Sequence, residues 1–261
     1  MKLRISDLKN VLLVPIRAVA RMFVLVFVFV VYIVQLLALA LQQKKMASDL
    51  LALTSRLVLY VMGVRVVVTV QDKSVEGRES RPIIYLYNHQ NPLDIFVVQG
   101  YLRVPSITTA SLHLGLVLPW FSTSASNAGH ALMDHLNESS RRSAVYKSSE
   151  ILRRYGAIII APNGSLKTSI LQRVSASAWV LARKHNARIV PWTFAYKNLK
   201  ISEQDLYSPL KILRRRIIAN PSTIYCYLGK SIDLNLPSDP RDREGFSRAV
   251  KHYYLQQQES G

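Results

Sequence analysis

The chain has 261 residues, 49% of them apolar, which leaves room for one substantial domain plus an appendage and is high for a soluble domain. Lys and Arg number 34 against 16 Asp and Glu, a net charge of +18, so the surface it meets is anionic, nucleic acid or phospholipid. The single cysteine, Cys226, excludes an internal disulfide and a cysteine zinc site; it lies in a strand-like run, Thr223 to Leu228, and reads as a buried structural thiol.

Met22 to Leu41 contains one strongly polar residue, Gln35, in 20 positions. At about 1.5 Å rise per residue the run matches a hydrocarbon core of about 30 Å. It is longer than the apolar part of a signal peptide, and Gln42-Gln43-Lys44-Lys45 is no small-residue cleavage site. This apolar segment favours an anionic membrane surface over nucleic acid as the partner. Lys2, Arg4, Lys9, Arg17 and Arg21 precede it, and Lys44, Lys45, Arg56 and Arg65 follow. The near balance barely favours a cytoplasmic N-terminus and leaves spanning and re-entrant topologies both open. Leu50 to Met62 is apolar but carries Thr54, Ser55 and Arg56, as an interfacial amphipathic or returning helix would. The chain therefore divides into an N-terminal membrane anchor (1–46), an amphipathic or re-entrant helix (47–63) and a domain (64–261).

The domain opens with a β-branched strand, Val64 to Val70, then a polar loop, a strand at 83–87 and a helix from Ile95 to Leu102. Val104 to Thr109 reads as a short strand, and Asn127 to Asp134 as a turn and a short strand. Ser139 to Tyr155 is a helix by the spacing of Val145, Ser148, Leu152 and Tyr155, stopped by Gly156. Ala157 to Ala161 is a buried strand, Val174 to His185 a helix, Ile189 to Ala195 a strand, 223–228 a strand and roughly Arg241 to Gln257 a charged C-terminal helix. Alternating strands and helices predict an α/β fold with a mixed, mostly parallel sheet flanked by helices, behind an N-terminal membrane-embedded helical segment.

Asn88-His89-Gln90-Asn91-Pro92-Leu93-Asp94 stands at a strand-to-helix junction, where α/β enzymes place chemistry. Asn91 and Pro92 make a good helix start, so Asp94 falls in the first turn. Two readings fit these residues. Asp94 complements the helix dipole beside an ordinary loop histidine, or the chain folds back and Asp94 orients His89 as a general base. The stretch Ala161 to Lys167 follows a buried strand; its amides, hydroxyl and ammonium could cradle an anion, or it is a plain Pro-Asn-Gly turn. His130, Asp134 and His135 have metal-ligand chemistry but no partner cluster, so no metal is expected. Pro191 alone signifies an edge or strand-end proline.

In this order and at these distances the four stretches resemble the PlsC-type glycerolipid acyltransferase family, which includes 1-acylglycerol-3-phosphate and other lysophospholipid acyltransferases. The hallmark Asn-His-x4-Asp is matched in full by Asn88, His89 and Asp94. Gly129 to His135 resembles the Gly-x5-Arg block, Ala161 to Lys167 the Phe-Pro-Glu-Gly-Thr-Arg-Ser block, and Val190-Pro191 the Val-Pro pair. The resemblance covers roughly residues 60–230, and the N-terminal membrane helices also fit the architecture of the family.

The resemblance implies fatty acyl transfer from acyl-CoA or acyl-carrier protein to a lysolipid hydroxyl, with no cofactor beyond that co-substrate. His89 would be the base and Asp94 its orienting group; Asn88, His135, Asn163, Gly164, Ser165, Lys167 and Pro191 would lie along the substrates. Oxyanion donors would come from 161–167 or from the helix start after His89. Asn163 replaces the family's Glu, Leu166 its Arg and His135 the Arg of the second block. Leu cannot pair with a phosphate, and Lys167 offers a point charge instead of a fork, so the acceptor stays open among lysolipids. The altered blocks also define the alternative, a PlsC-like lipid-binding or scaffold protein with weak or lost catalysis. A glycan on the Asn163 sequon would block the pocket, which favours a cytoplasmic catalytic face or an organism that does not glycosylate. Oligomeric state is not readable from the sequence.

Overall fold

In the computed structural model, residues 5–41, 43–70, 81–91, 93–101, 109–111, 131–133, 137–162, 174, 176–199, 221–229 and 243–259 are described. Helix α1 (Ile5–Ala40) takes in the apolar run but begins well before it. Val31, Gln35 and Ala38 are buried. Their i, i+4, i+7 spacing makes one stripe, and α1 packs on α2 (Lys44–Val61). Elsewhere α1 is apolar and bare, as at Phe23, Val26, Phe27, Phe29 and Leu37. Ala18–Ala38 has the length and hydropathy of a membrane span, and only 19% of it is buried.

Helix α2 packs back on α1, and Thr54 and Ser55, the polar residues of its amphipathic pattern, do not lie on a polar face. Both are buried with Leu51 and Leu59, and α2 packs on α3 (Asp94–Tyr101) as well as α1. Their hydroxyls donate to the carbonyls of Leu50 and Leu51 one turn back, which satisfies them without a solvent-facing side.

Five strands form one sheet in the order β1-β7-β6-β2-β5: β1 (Val64–Val70), β7 (Ser222–Leu228), β6 (Arg188–Lys197), β2 (Ile83–Tyr87) and β5 (Ala157–Ile160). The β1–β7, β6–β2 and β2–β5 pairs are parallel and only β6–β7 is antiparallel, the mixed, mostly parallel sheet expected from the sequence. Two short strands, β3 (Thr109–Ser111) and β4 (Ala131–Met133), pair separately.

The period of two in strand side chains sorts the core into two layers. Tyr85, Tyr87, Ile159, Val190, Trp192 and Phe194 lie with α2 and α3. Ile84, Leu86, Ile158, Ile160 and Ile189 lie with α4 (Glu138–Tyr155), α5 (Ala176–His185) and α6 (Arg243–Glu259). Each fully buried Ile or Leu contributes roughly 1.5–3 kcal/mol, so a sheet covered on both faces needs its near-continuous apolar strands. Helix α4 is set at both ends: Asn137 Oδ1 accepts from Ser140 N, and Gly156 closes the C-terminus at φ +71°.

Candidate active site

Strand β2 ends at Tyr87, and the next seven residues build the site. Asn88 continues the sheet with its side chain rather than its backbone. Its Nδ2 donates to Phe194 O at 3.0 Å and its Oδ1 accepts from Phe194 N at 2.6 Å. The amide thus forms a last rung between β2 and β6, and the main chain is released to turn away. Asn91 Oδ1 accepts from Leu93 N at 3.0 Å, the cap expected from the sequence, and α3 starts at Asp94.

Asp94 is fully buried. Its Oδ2 accepts from His89 Nδ1 at 3.1 Å and from the backbone N–H groups of Gln90 and Asn91, each at 2.9 Å. Its Oδ1 accepts from the Tyr196 hydroxyl at 2.7 Å. Two backbone N–H groups and a phenol O–H donate to Asp94, so the ionised carboxylate takes the Nδ1 proton of His89 as a fourth donor and leaves Nε2 as the basic ring nitrogen. His89 is 22% exposed, enough for a substrate hydroxyl to reach it while Asp94 stays dry. Tyr87 packs edge-on to the imidazole, with ring centroids 5.6 Å apart. The chain thus folds back so that the His89 ring meets the Asp94 carboxylate.

Tyr196 is the member that the sequence did not reveal. Val190, Trp192 and Phe194 share the α3 face of β6, and Tyr196 continues that alternation two residues beyond Phe194. Burial, and then the Asp94 charge, push its hydroxyl well above the ordinary phenol range, so it remains a donor. The same two causes raise Tyr87. Cys226 is fully buried, and burial followed by Asp94 raises its thiol, which suits the structural role expected of it.

The other sequence-derived residues divide in two. Pro191 is inside the central strand β6, not at an edge or strand end. It is tolerated because β6 changes partner there: its carbonyl accepts from Gly229 N on the β7 side, just past the β6–β7 ladder, so the absent N–H removes no β2–β6 bond. Pro191 pairs with Leu86, which belongs to the opposite layer, so the structure does not bring it to the His89–Asp94 side. His135, Asn163, Gly164, Ser165, Leu166 and Lys167 lie outside the described residues. Strand β5 ends beside β2, with Ile160 level with Leu86.

The helix start is a poor oxyanion donor. Gln90 N and Asn91 N are committed to Asp94, Leu93 N to the Asn91 side chain and Asp94 N to the Asn91 carbonyl. Pro92 has no N–H to give. Among the described residues no three His, Cys, Asp or Glu side chains converge as a metal site.

A family model described as Acyltransferase matches residues 65–195. Among solved structures, the chain is similar to the crystal structure of the 1-acyl-sn-glycerophosphate (LPA) acyltransferase, PlsC, from Thermotoga maritima. The two share 16% sequence identity at a TM-score of 0.57, over 93% of this chain and 97% of that one, a likeness of fold. No curated protein matches the chain.

Proposed function

Because the chain belongs to the acyltransferase family, we propose that it transfers a fatty acyl group from acyl-CoA or acyl-carrier protein to the hydroxyl of a lysophospholipid or similar lysolipid. The observation that carries this reading is the His89–Asp94 pair, in which a fully buried carboxylate with four donors fixes the imidazole. His89 Nε2 takes the proton of the acceptor hydroxyl, and the oxygen attacks the thioester carbonyl carbon. The C–O bond forms as the C–S bond breaks. His89 returns its proton to the leaving thiolate, so an ester and a free thiol are produced and the enzyme is unchanged. With the amides of Gln90, Asn91, Leu93 and Asp94 committed, the loop after β5, including Asn163, Gly164, Ser165 and Lys167, is the source of donors for the oxyanion and for the acceptor.

The bare apolar surface of α1 supports a membrane-embedded enzyme working at an anionic bilayer surface, and the net charge of +18 agrees. A cytoplasmic catalytic face is part of this proposal. The test uses the full chain purified in detergent, offered a panel of lysolipids with acyl-CoA and with acyl-carrier protein. At least one acceptor is acylated, and His89→Ala lowers the rate by about 10²–10⁴-fold. Failure of every acceptor, or an unchanged rate in His89→Ala, overturns the reading.

A further inference from the structure

A groove of about 620 Å³ opens where the N-terminal helix pair meets β1 and the far end of α3. Its described lining includes Arg21, Arg56, Arg65, Tyr60 and Tyr101, with no carboxylate. The family match begins at residue 65, so the contributions of α1 and α2 lie outside it. Tyr101 is at the opposite end of α3 from Asp94, about 10 Å along the helix axis. We propose that this groove binds the phosphate headgroup of an anionic glycerophospholipid, at a site separate from the acyl-transfer centre. The inference rests on the membrane attachment proposed above.

Two of the guanidinium groups are set in place by the fold. Arg21 is only 6% exposed and forms the floor. It can do so because Gly63, at φ +65°, has no side chain: a Cβ there would stand 2.5 Å from Arg21 Nη2. Arg56 donates through Nε to the Gly100 carbonyl and lies over the Tyr101 ring, 5.5 Å from its centroid. A guanidinium held by one nitrogen and one face presents its remaining N–H groups in a fixed direction, with little entropy left to lose on binding phosphate. Arg65, exposed on β1, supplies a third charge at the rim. Planar forks of this kind match phosphate oxygens bidentately.

The surroundings specify a lipid rather than a soluble phosphate. Arg21 is near the N-terminal end of the Ala18–Ala38 apolar segment. Met22, Phe23, Val26 and Phe27 run on from it as exposed apolar surface, which continues to Leu37. From Met22 to Leu37 this surface extends about 22 Å at the helical rise. A headgroup seated among the arginines therefore leaves its acyl chains lying along α1 instead of in water.

The test titrates the detergent-solubilised full chain with dihexanoyl phosphatidylglycerol, dihexanoyl phosphatidylcholine and glycerol 3-phosphate. Saturable binding is expected for phosphatidylglycerol, about tenfold tighter than for phosphatidylcholine, with no saturation by glycerol 3-phosphate. Arg56→Gln and Arg65→Gln each weaken phosphatidylglycerol binding about tenfold, while His89→Ala leaves it unchanged. Arg65 is exposed, so its variant stays folded even if loss of the Arg56–Gly100 bond disturbs α3. Unchanged phosphatidylglycerol affinity in Arg65→Gln, or equal binding of all three probes, overturns the lipid site. Loss of acyl transfer with arginine-dependent lipid binding retained overturns only the enzymatic reading.

Discussion

Tyr196 donates its hydroxyl to Asp94 Oδ1 from a strand 102 residues later in the chain. Removing that donor leaves a buried carboxylate oxygen short of a partner, a loss of about 1–3 kcal/mol in a buried hydrogen-bond set. The carboxylate then holds the imidazole less firmly. Tyr196→Phe is expected to lower kcat about tenfold with KM nearly unchanged. An unchanged kcat would show that Tyr196 only packs. His89 and Asp94 were legible in the sequence because the whole relationship fits within one loop. Tyr196 was not, since the strand-like run was read as ending at Ala195, and the family match stops at that residue too. The cap of α4 was not legible either: Asn137, whose Oδ1 accepts from Ser140 N, lies two residues before Ser139, where the sequence pattern begins the helix.

Among the elements, the junction of β2 and β6 depends on one side chain. Both Phe194 backbone groups bond to Asn88, so Asn88→Ala leaves a buried N–H and a buried C=O unmade and is expected to lower unfolding stability by about 2–4 kcal/mol. Asn88→Asp distinguishes the clamp from simple volume: a carboxylate still accepts from Phe194 N but sets an oxygen against Phe194 O. Denaturant unfolding should find it no more stable than Ala. The family resemblance gave Asn88 a place along the substrates, and here it is first a structural rung. Packing of α4 on α5 carries its own pH dependence, through Ser149 and His185 Nε2 at 2.7 Å. Burial first, then Lys184 and Arg153, hold the His185 pKa below its ordinary 6.5. The folded chain therefore binds this proton less readily than the unfolded chain. The contribution is whole above 6.5 and is lost as pH falls through the lower folded value. Thermal midpoints measured from about pH 8 to about pH 5 should fall more steeply in the parent than in His185→Gln.

At the scale of the molecule, the sequence displayed the strands as β-branched runs but not their order. Val64 pairs with Ser222, so β7 enters between β1 and β6 through a contact that no local pattern encodes. It also explains why β6 is longer than its apolar run suggested: its second half has β7 as a partner. The exposed face of α1 predicts that the full chain stays with the membrane fraction through a carbonate wash and is released only by detergent; recovery in the wash supernatant would contradict an embedded α1. One further consequence concerns the order in which the site forms. The local bonds to Asp94 close loops of five, four and three residues, and the Tyr196 bond closes a loop of 102. Loop-closure entropy grows with the logarithm of length, so the last bond costs about 3 kcal/mol more to close than the local ones. The histidine and its carboxylate can thus be brought together by seven consecutive residues while most of the sheet is unformed. The tyrosine joins only when β6 has docked beside β2, and its hydroxyl reports that one long-range pairing.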